Sequence, residues 1–352
     1  MNAPVQTPSE GAAEKLLGLV LKKQWLVIER LTLDAGHSGQ SRSCCYKAVT
    51  KDGEVAFVKA FDFRHEDLEG DTQRLEFMVR EFNHERQVHE FCRDRKLARV
   101  TRIFEAGFVP VDGQAVHYLI CEYAPQSLRE AHPPGSLDIP AHIRLAGLRK
   151  VAAGVAQLHT VGVAHQDIKP SNAVAYADDE VKITDLGSSS CQSLPAAPHD
   201  DLHYCGQPGY APYELLYSQG GSWYRRRIGC DIYLLGNLIF TSFIGESLTS
   251  FILHALPSEL RHTVYTGTYD QVLPHLIDRH FELVPIVMKE FIPAEIESEL
   301  TSLVLALCHP DPERRGHSVN VSGKGSQYGL ERVISALDRL EKKARIQERY
   351  VT

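Results

Sequence analysis

The chain has no run of the roughly 18–20 uncharged apolar residues that a membrane helix requires. It has no C-x-x-C pair among its eight cysteines and no surplus of positive charge. Each absence narrows what the protein can do. Without an apolar span, no membrane segment is expected. A net charge of −7, from 38 Lys and Arg against 45 Asp and Glu, provides no electrostatic footprint for nucleic acid. Cys44, Cys45, Cys92, Cys121, Cys191, Cys205, Cys230 and Cys308 are scattered, and the adjacent Cys44-Cys45 pair is poor geometry for a zinc clamp. Reduced thiols in a cytoplasmic protein are therefore expected. The opening stretch, MNAPVQTPSEGAAEKLLGLVLKK, follows its short apolar segment with Lys22-Lys23, whereas a signal peptide puts its positive charge in front. Residues 1–24 read as a tail leading into a short helix.

What is present is an ordinary globular composition, 43% hydrophobic and 24% charged over 352 residues, enough for two lobes with full cores. WLVIERLTL, CCYKAV and EVAFVKAF read as strands, with Lys51-Asp52-Gly53 as a hairpin signal between the last two. Leu75, Met78, Phe82, Val88 and Phe91 recur near helical spacing over residues 72–93. RVTRIFEAGFVP and HYLICEY return to strand character. After Pro125 the pattern turns helical: RLAGLRKVAAGVAQLHTVG stops near Gly162, and CDIYLLGNLIFTSFIG is apolar nearly all round, the mark of a buried helix. A charged helix, LERVISALDRLEKKARIQERY, closes the chain.

Between two apolar segments stands VAHQDIKPSNAV, residues 163–174. Turn chemistry accounts for Pro170-Ser171-Asn172 but not for a carboxylate at Asp167, an ammonium at Lys169 and an amide at Asn172. Phosphoryl transfer needs a fixed cation for phosphate charge, oxygen ligands for a metal, and an oriented acceptor for the attacking hydroxyl. Lys59, at the end of an apolar strand, supplies the first. Asn172 and Asp185, the latter in VKITDLG, offer hard oxygen ligands suited to magnesium. Asp167 supplies the acceptor.

Four blocks stand in order: VAFVK (55–59), HQDIKPSN (165–172), DLG (185–187) and APYE (211–214). In order and spacing the chain resembles the eukaryotic-type (Hanks-type) serine/threonine protein kinase family, whose signatures are V-A-I-K, H-R-D-L-x-x-x-N, D-F-G and A-P-E. The resemblance covers about residues 25–340. It implies an α+β, bilobal protein-kinase-like fold. The β-rich N-lobe with one main helix would span 25–121, the hinge 122–128, the mostly helical C-lobe 129–345 and a tail 346–352. It further implies that Lys59 binds the α- and β-phosphates of ATP and pairs with Glu85 on the first-lobe helix, Glu81 one turn earlier being the open alternative. Gly36 and Gly39 would cover the phosphates. Cys121 takes the gatekeeper position, with Glu122, Tyr123 and Ala124 offering backbone contacts to adenine. Asp167 is the implied catalytic base and Lys169 a contact to the transferring phosphate. Asn172 and Asp185 would hold Mg2+. His165 and Asp231 are implied as structural supports, as is a pair between Glu214 and Arg315. The implied partner is a protein substrate with a Ser or Thr acceptor, with no nucleic acid and no membrane.

The sequence departs from the pattern in four places. GHSGQSRS has two glycines where G-x-G-x-x-G has three. Gln166 replaces the Arg of H-R-D, which in the family often holds a phosphorylated activation loop, so activity without loop phosphorylation is expected. Leu186 replaces Phe in a packing position. Gln207 stands where a Thr usually bridges the catalytic Asp and Lys. A small-molecule phosphotransferase and a non-enzymatic scaffold are the competing readings, each weakened by residues present here: the APYE and DPERR elements for the first, Lys59, Asp167 and Asp185 together for the second.

Other motifs carry less. SGKGS (322–326) lacks the Gly a Walker A loop needs upstream and reads as a loop. His84-Glu85 and His89 have one residue too many for a zincin helix, since five residues turn a helix by roughly 140°. His199 and His203 in HDDLH read as part of an exposed activation-segment loop.

Overall fold

The computed structural model describes residues 11–32, 43–61, 63 and 72–351, apart from the side chains of 349–351. It divides into two compact units, Met1–Arg93 with Thr101–Ala124 and Asp94–Val100 with Pro125–Thr352.

The first unit is built on strands β1 (Val20–Leu21), β2 (Trp25–Leu31), β3 (Ser43–Val49) and β4 (Val55–Phe61), helix α1 (Thr72–Asp94), and strands β5 (Ile103–Val111) and β6 (Gln114–Glu122). The strands form one antiparallel sheet in the order β1-β2-β3-β4-β6-β5. The period-2 geometry of a strand sorts β4 cleanly. Ala56, Val58 and Ala60 are buried in a core with Trp25, Tyr46, Tyr118 and Ile120. Phe57, Lys59 and Phe61 belong to the opposite face, where Phe57 and Phe61 join Phe82 of α1 and Cys121. Residues 11–21, read from the sequence as a tail, help to fill the first core through Ala12, Ala13, Leu16 and Leu21, and the Tyr46 hydroxyl donates to the Ala13 carbonyl at 2.6 Å. The hairpin between β5 and β6 turns on Asp112 and Gly113, both at positive φ, as a two-residue primed turn requires.

The second unit opens with β7 (Gln126–Ser127) and α2 (Leu128–Ala131), whose N-terminus is closed by a Ser127–Glu130 capping box. It continues through α3 (Ala141–Thr160), β8 (Val163–Ala164), β9 (Ala173–Ala175), β10 (Val181–Ile183) and β11 (Ser190–Cys191). Then come α4 (Tyr213–Leu216), α5 (Gly229–Ile244), α6 (Leu248–Ala255), α7 (Tyr269–Phe291), α8 (Ala294–Leu307), α9 (Ser318–Val321) and α10 (Glu331–Val351). Helix α5 is buried on all sides and continues a π-helical turn, Tyr224–Ile228. Taken together, Tyr224–Ile244 is long and apolar enough to cross a membrane, although no single uninterrupted apolar run in the sequence is. It is instead a core helix, 94% of its apolar window lying inside the unit. A Cβ at Gly236 would come within 2.5 Å of Cys308 Sγ, so α5 and the end of α8 are in direct backbone-level contact. A β-sheet unit with one main helix and a mostly helical unit are the two parts the sequence implied. No disulfide joins any of the eight cysteines.

Candidate active site

In the sheet unit, Lys59 sits on the face of β4 that α1 covers. Its Nζ lies 2.8 Å and 3.0 Å from the two carboxylate oxygens of Glu85. Glu85 falls in the inward stripe Met78, Phe82, Glu85, His89 of α1 and is 4% exposed, whereas Glu81 is half-buried. Cys121, opposite Phe57 in the sheet, is buried. Burial first, and then the neighbouring Glu85 carboxylate, push its thiol up to about 12, so it remains protonated at any working pH. Glu122 donates its backbone N–H to the Arg102 carbonyl, and Tyr123 lies under the Lys47 ammonium, 5.0 Å from ring centre to nitrogen. Ala124 ends the unit. Gly36 and Gly39 lie outside the described residues.

In the helical unit, the segment from His165 to Asn172 is buried throughout. Asp167 is its centre. Asp167 Oδ2 receives the Asn172 Nδ2–H at 2.7 Å and lies 3.0 Å from the Lys169 ammonium. Its Oδ1 accepts from the backbone N–H of Gln207 at 3.2 Å. The contact that the sequence assigned to a side chain at 207 is thus made by the main chain, which any residue but proline can supply. Asn172 also donates to the Asp167 carbonyl at 2.9 Å, which turns its amide nitrogen toward Asp167 and its Oδ1 away.

The loop that carries Asp167 is held from beneath. Asp231, on α5 and wholly buried, accepts the backbone N–H groups of His165 and Gln166 at 2.8 and 2.7 Å, and His159 Nε2 lies 2.9 Å from it. Two such bonds hold Gln166 at a φ of +64°, a left-handed conformation rare for a residue with a Cβ. The Asp167 N–H donates to His165 Nδ1, so the ring proton is on Nε2, which donates to the Thr184 carbonyl at 2.9 Å. Thr184 immediately precedes Asp185, which lies at φ +61° at the head of a 3-10 turn, Leu186–Ser188. Leu186 is fully buried.

Further on, Arg315 and Glu214 form a two-toothed fork at 2.6 and 2.7 Å, both buried, with Arg315 also donating to the carbonyls of Gly229 and His309. Burial disfavours the guanidinium charge, and the Glu214 carboxylate more than compensates, holding its pKa above the ordinary value. A surface ion pair would do neither. His199 corrects the sequence reading: it is buried, with Nε2 3.1 Å from the Ser189 carbonyl, while His203 is exposed. Among the described residues no group of His, Cys, Asp and Glu is placed to hold a metal by itself. One residue escaped the sequence altogether. Arg227, the last of three consecutive arginines, is fully buried beside Gln166.

A family model described as the protein kinase domain matches residues 35–322. The hormonally up-regulated neu tumor-associated kinase of Homo sapiens is 22% identical over 265 residues, covering 75% of this chain and 31% of that protein. The protein of the same name in Mus musculus is 21% identical over the same share. The serine/threonine-protein kinase PLK4 of Drosophila melanogaster is 27% identical over 196 residues, 53% of this chain and 23% of that one. The chain spans about a third or less of the length of these curated relatives.

Proposed function

The chain belongs to the protein kinase family, and from that premise we propose that it transfers the γ-phosphoryl group of ATP to a serine or threonine hydroxyl of a protein substrate, with Asp167 as catalytic base. The observation that carries the reading is the cluster at Asp167: one carboxylate, one ammonium and one amide converging within 3.0 Å in a buried loop. A buried carboxylate so held accepts a hydrogen bond from an incoming hydroxyl without reorganising, which is how positioning lowers a barrier. As the hydroxyl oxygen bonds to the γ-phosphorus and the bond to the ADP oxygen breaks, Asp167 takes the hydroxyl proton. Lys169 offsets negative charge on the transferring group, and Lys59, oriented by Glu85, does so for the remaining phosphates.

The donor set fits magnesium. Asn172 turns its nitrogen to Asp167, while its Oδ1 accepts from the Ser171 hydroxyl at a long 3.4 Å, and Asp185 adds a carboxylate; both are hard oxygen ligands. Bound there, Mg2+ would neutralise charge on the phosphate oxygens.

The test uses γ-labelled ATP, magnesium and generic protein acceptors with wild type and Asp167→Asn. Labelled Ser or Thr in wild type, reduced at least about a hundredfold in the variant with ATP affinity little changed, is the expected result. Undiminished labelling by the variant would remove Asp167 from the role of base.

A further inference from the structure

Arg227 is a cation with no exposed surface, and its hydrogen-bond partners among the described residues belong to the catalytic loop or to the segment that follows Asp185. Its Nη1 donates to Gln166 Oε1 at 2.5 Å. Its Nη2 donates to the carbonyls of Asp200 at 2.7 Å and Leu202 at 3.3 Å, and lies 3.5 Å from Asp200 Oδ1. Gln166 passes the connection on. Its Nε2 donates to the Ser188 carbonyl at 2.8 Å, an oxygen that also receives the Cys205 thiol at 3.3 Å. The segment is therefore gripped near its start at Ser188 and again at 200–205, with the Gln166 amide and the Arg227 guanidinium between the two grips. At Gly206 a Cβ would come within 2.6 Å of the Gln166 carbonyl, so the segment returns to lie directly on the loop that carries Asp167.

The two Nη groups of Arg227 find their acceptors within the chain. The acceptors are main-chain carbonyls and an amide, with the Asp200 carboxylate alongside. The π-helical turn Tyr224–Ile228 that delivers Arg227 is the kind of local departure from α-helix that recurs at functional positions. Burial lowers the arginine's pKa, yet a guanidinium keeps its charge at neutral pH.

We infer that Arg227 is a positioning residue that latches the 188–206 segment onto the catalytic loop through Gln166, so that phosphoryl transfer proceeds with that segment unphosphorylated. Within the kinase reading, on which this rests, a cation arriving from the helix before Asp231 does the ordering, and Gln166 is the neutral residue that lets it approach. An arginine at 166 would put two guanidiniums into one buried space, where like charges are costly.

The experiment compares wild type, Arg227→Gln, Arg227→Lys, Gln166→Arg and the exchange variant Gln166→Arg/Arg227→Gln, all phosphatase-treated and checked by intact mass. Two readouts are taken: amide hydrogen exchange across 188–206, with α3 as an internal control for folding, and steady-state transfer. Wild type is expected to be active without phosphate. Arg227→Gln should exchange faster in 188–206 but not in α3, with kcat at least about tenfold lower and KM for ATP within about threefold. Arg227→Lys keeps a buried charge but cannot bridge amide and carbonyls together, and should fall between. The exchange variant should recover segment protection beyond the sum of its two single changes. Unchanged exchange in Arg227→Gln and Arg227→Lys, strict additivity in the exchange variant, or loss of wild-type activity on dephosphorylation would overturn the latch. Wild type inactive before and after phosphatase would instead defeat the kinase reading, and the exchange data would still decide the latch.

Discussion

Lys59 shows how much one carboxylate decides. An amphipathic helix offers Glu81 and Glu85 on nearly the same face, and both are within plausible reach of a strand lysine. Only Glu85 continues the spacing of Met78 and Phe82 into the buried stripe, and its two oxygens straddle the Lys59 ammonium. Glu85→Gln keeps the shape but leaves a neutral amide facing a half-buried cation. Transfer is predicted to fall by about tenfold or more, since charge-assisted bonds are about twice as strong as neutral ones. Glu81→Gln should stay within about threefold of wild type. Steady-state kinetics on the two variants checks this, and equal losses would mean that the pair seen here does not orient the lysine. The motif residues were legible because their chemistry is tied to fixed local spacing. Gln207 was not: its contribution is a main-chain N–H, which no side-chain identity reveals.

At the scale of elements, periodicity predicted what periodicity controls. Helical spacing marked α1, and near-continuous apolarity marked α5 as interior; β4, apolar on both faces, shows its two sides only in the packing. Packing between helices left weaker traces. His280 on α7 is such a case: wholly buried, it donates through Nε2 to the Leu305 carbonyl of α8 at 3.2 Å, and its Nδ1 has no hydrogen-bond partner among the described residues. Burial above all brings its pKa from 6.5 down to about 4, partly opposed by the Leu305 bond and helped by smaller effects of His309 and Arg315. Above pH 6.5 the ring is neutral whether the chain is folded or not, and its contribution is complete. As pH falls below 6.5 the unfolded chain takes up a proton that the native chain refuses until about pH 4, so stability is lost across that window. The difference in unfolding free energy between wild type and His280→Gln is predicted to shift by up to about 3 kcal/mol between pH 7 and pH 4, wild type losing more. Urea unfolding at stepped pH measures it. A difference that stays constant with pH would show that His280 protonates freely in the native state.

Across the whole molecule, the least legible features join residues far apart in sequence. Residues 11–21 fill the sheet unit's core, 94–100 group with the helical unit, and Arg227 reaches Gln166 across 61 positions; none of these leaves a local pattern. The Glu214–Arg315 fork lies between these extremes. The family resemblance paired the residues, but only their burial fixes the energetics. Removing one partner of such a pair leaves an uncompensated charge in the interior, at a cost of about 3–5 kcal/mol, whereas removing both can be close to neutral. Arg315→Met is therefore predicted to destabilise by about that amount, and Glu214→Gln to a similar degree, because the guanidinium would lose its counter-charge and keep the carbonyls of Gly229 and His309 and the Tyr233 ring. The double variant should recover at least about 1 kcal/mol relative to the sum of the singles, the coupling expected of residues in contact. It should not recover fully, since those two carbonyls lose a donor in any variant without Arg315. Equilibrium unfolding of the four proteins at one pH tests this. Additive losses would mean that the fork contributes through packing alone. A coupling would instead identify the charge pair as what ties the end of the 188–214 segment to the core of its unit.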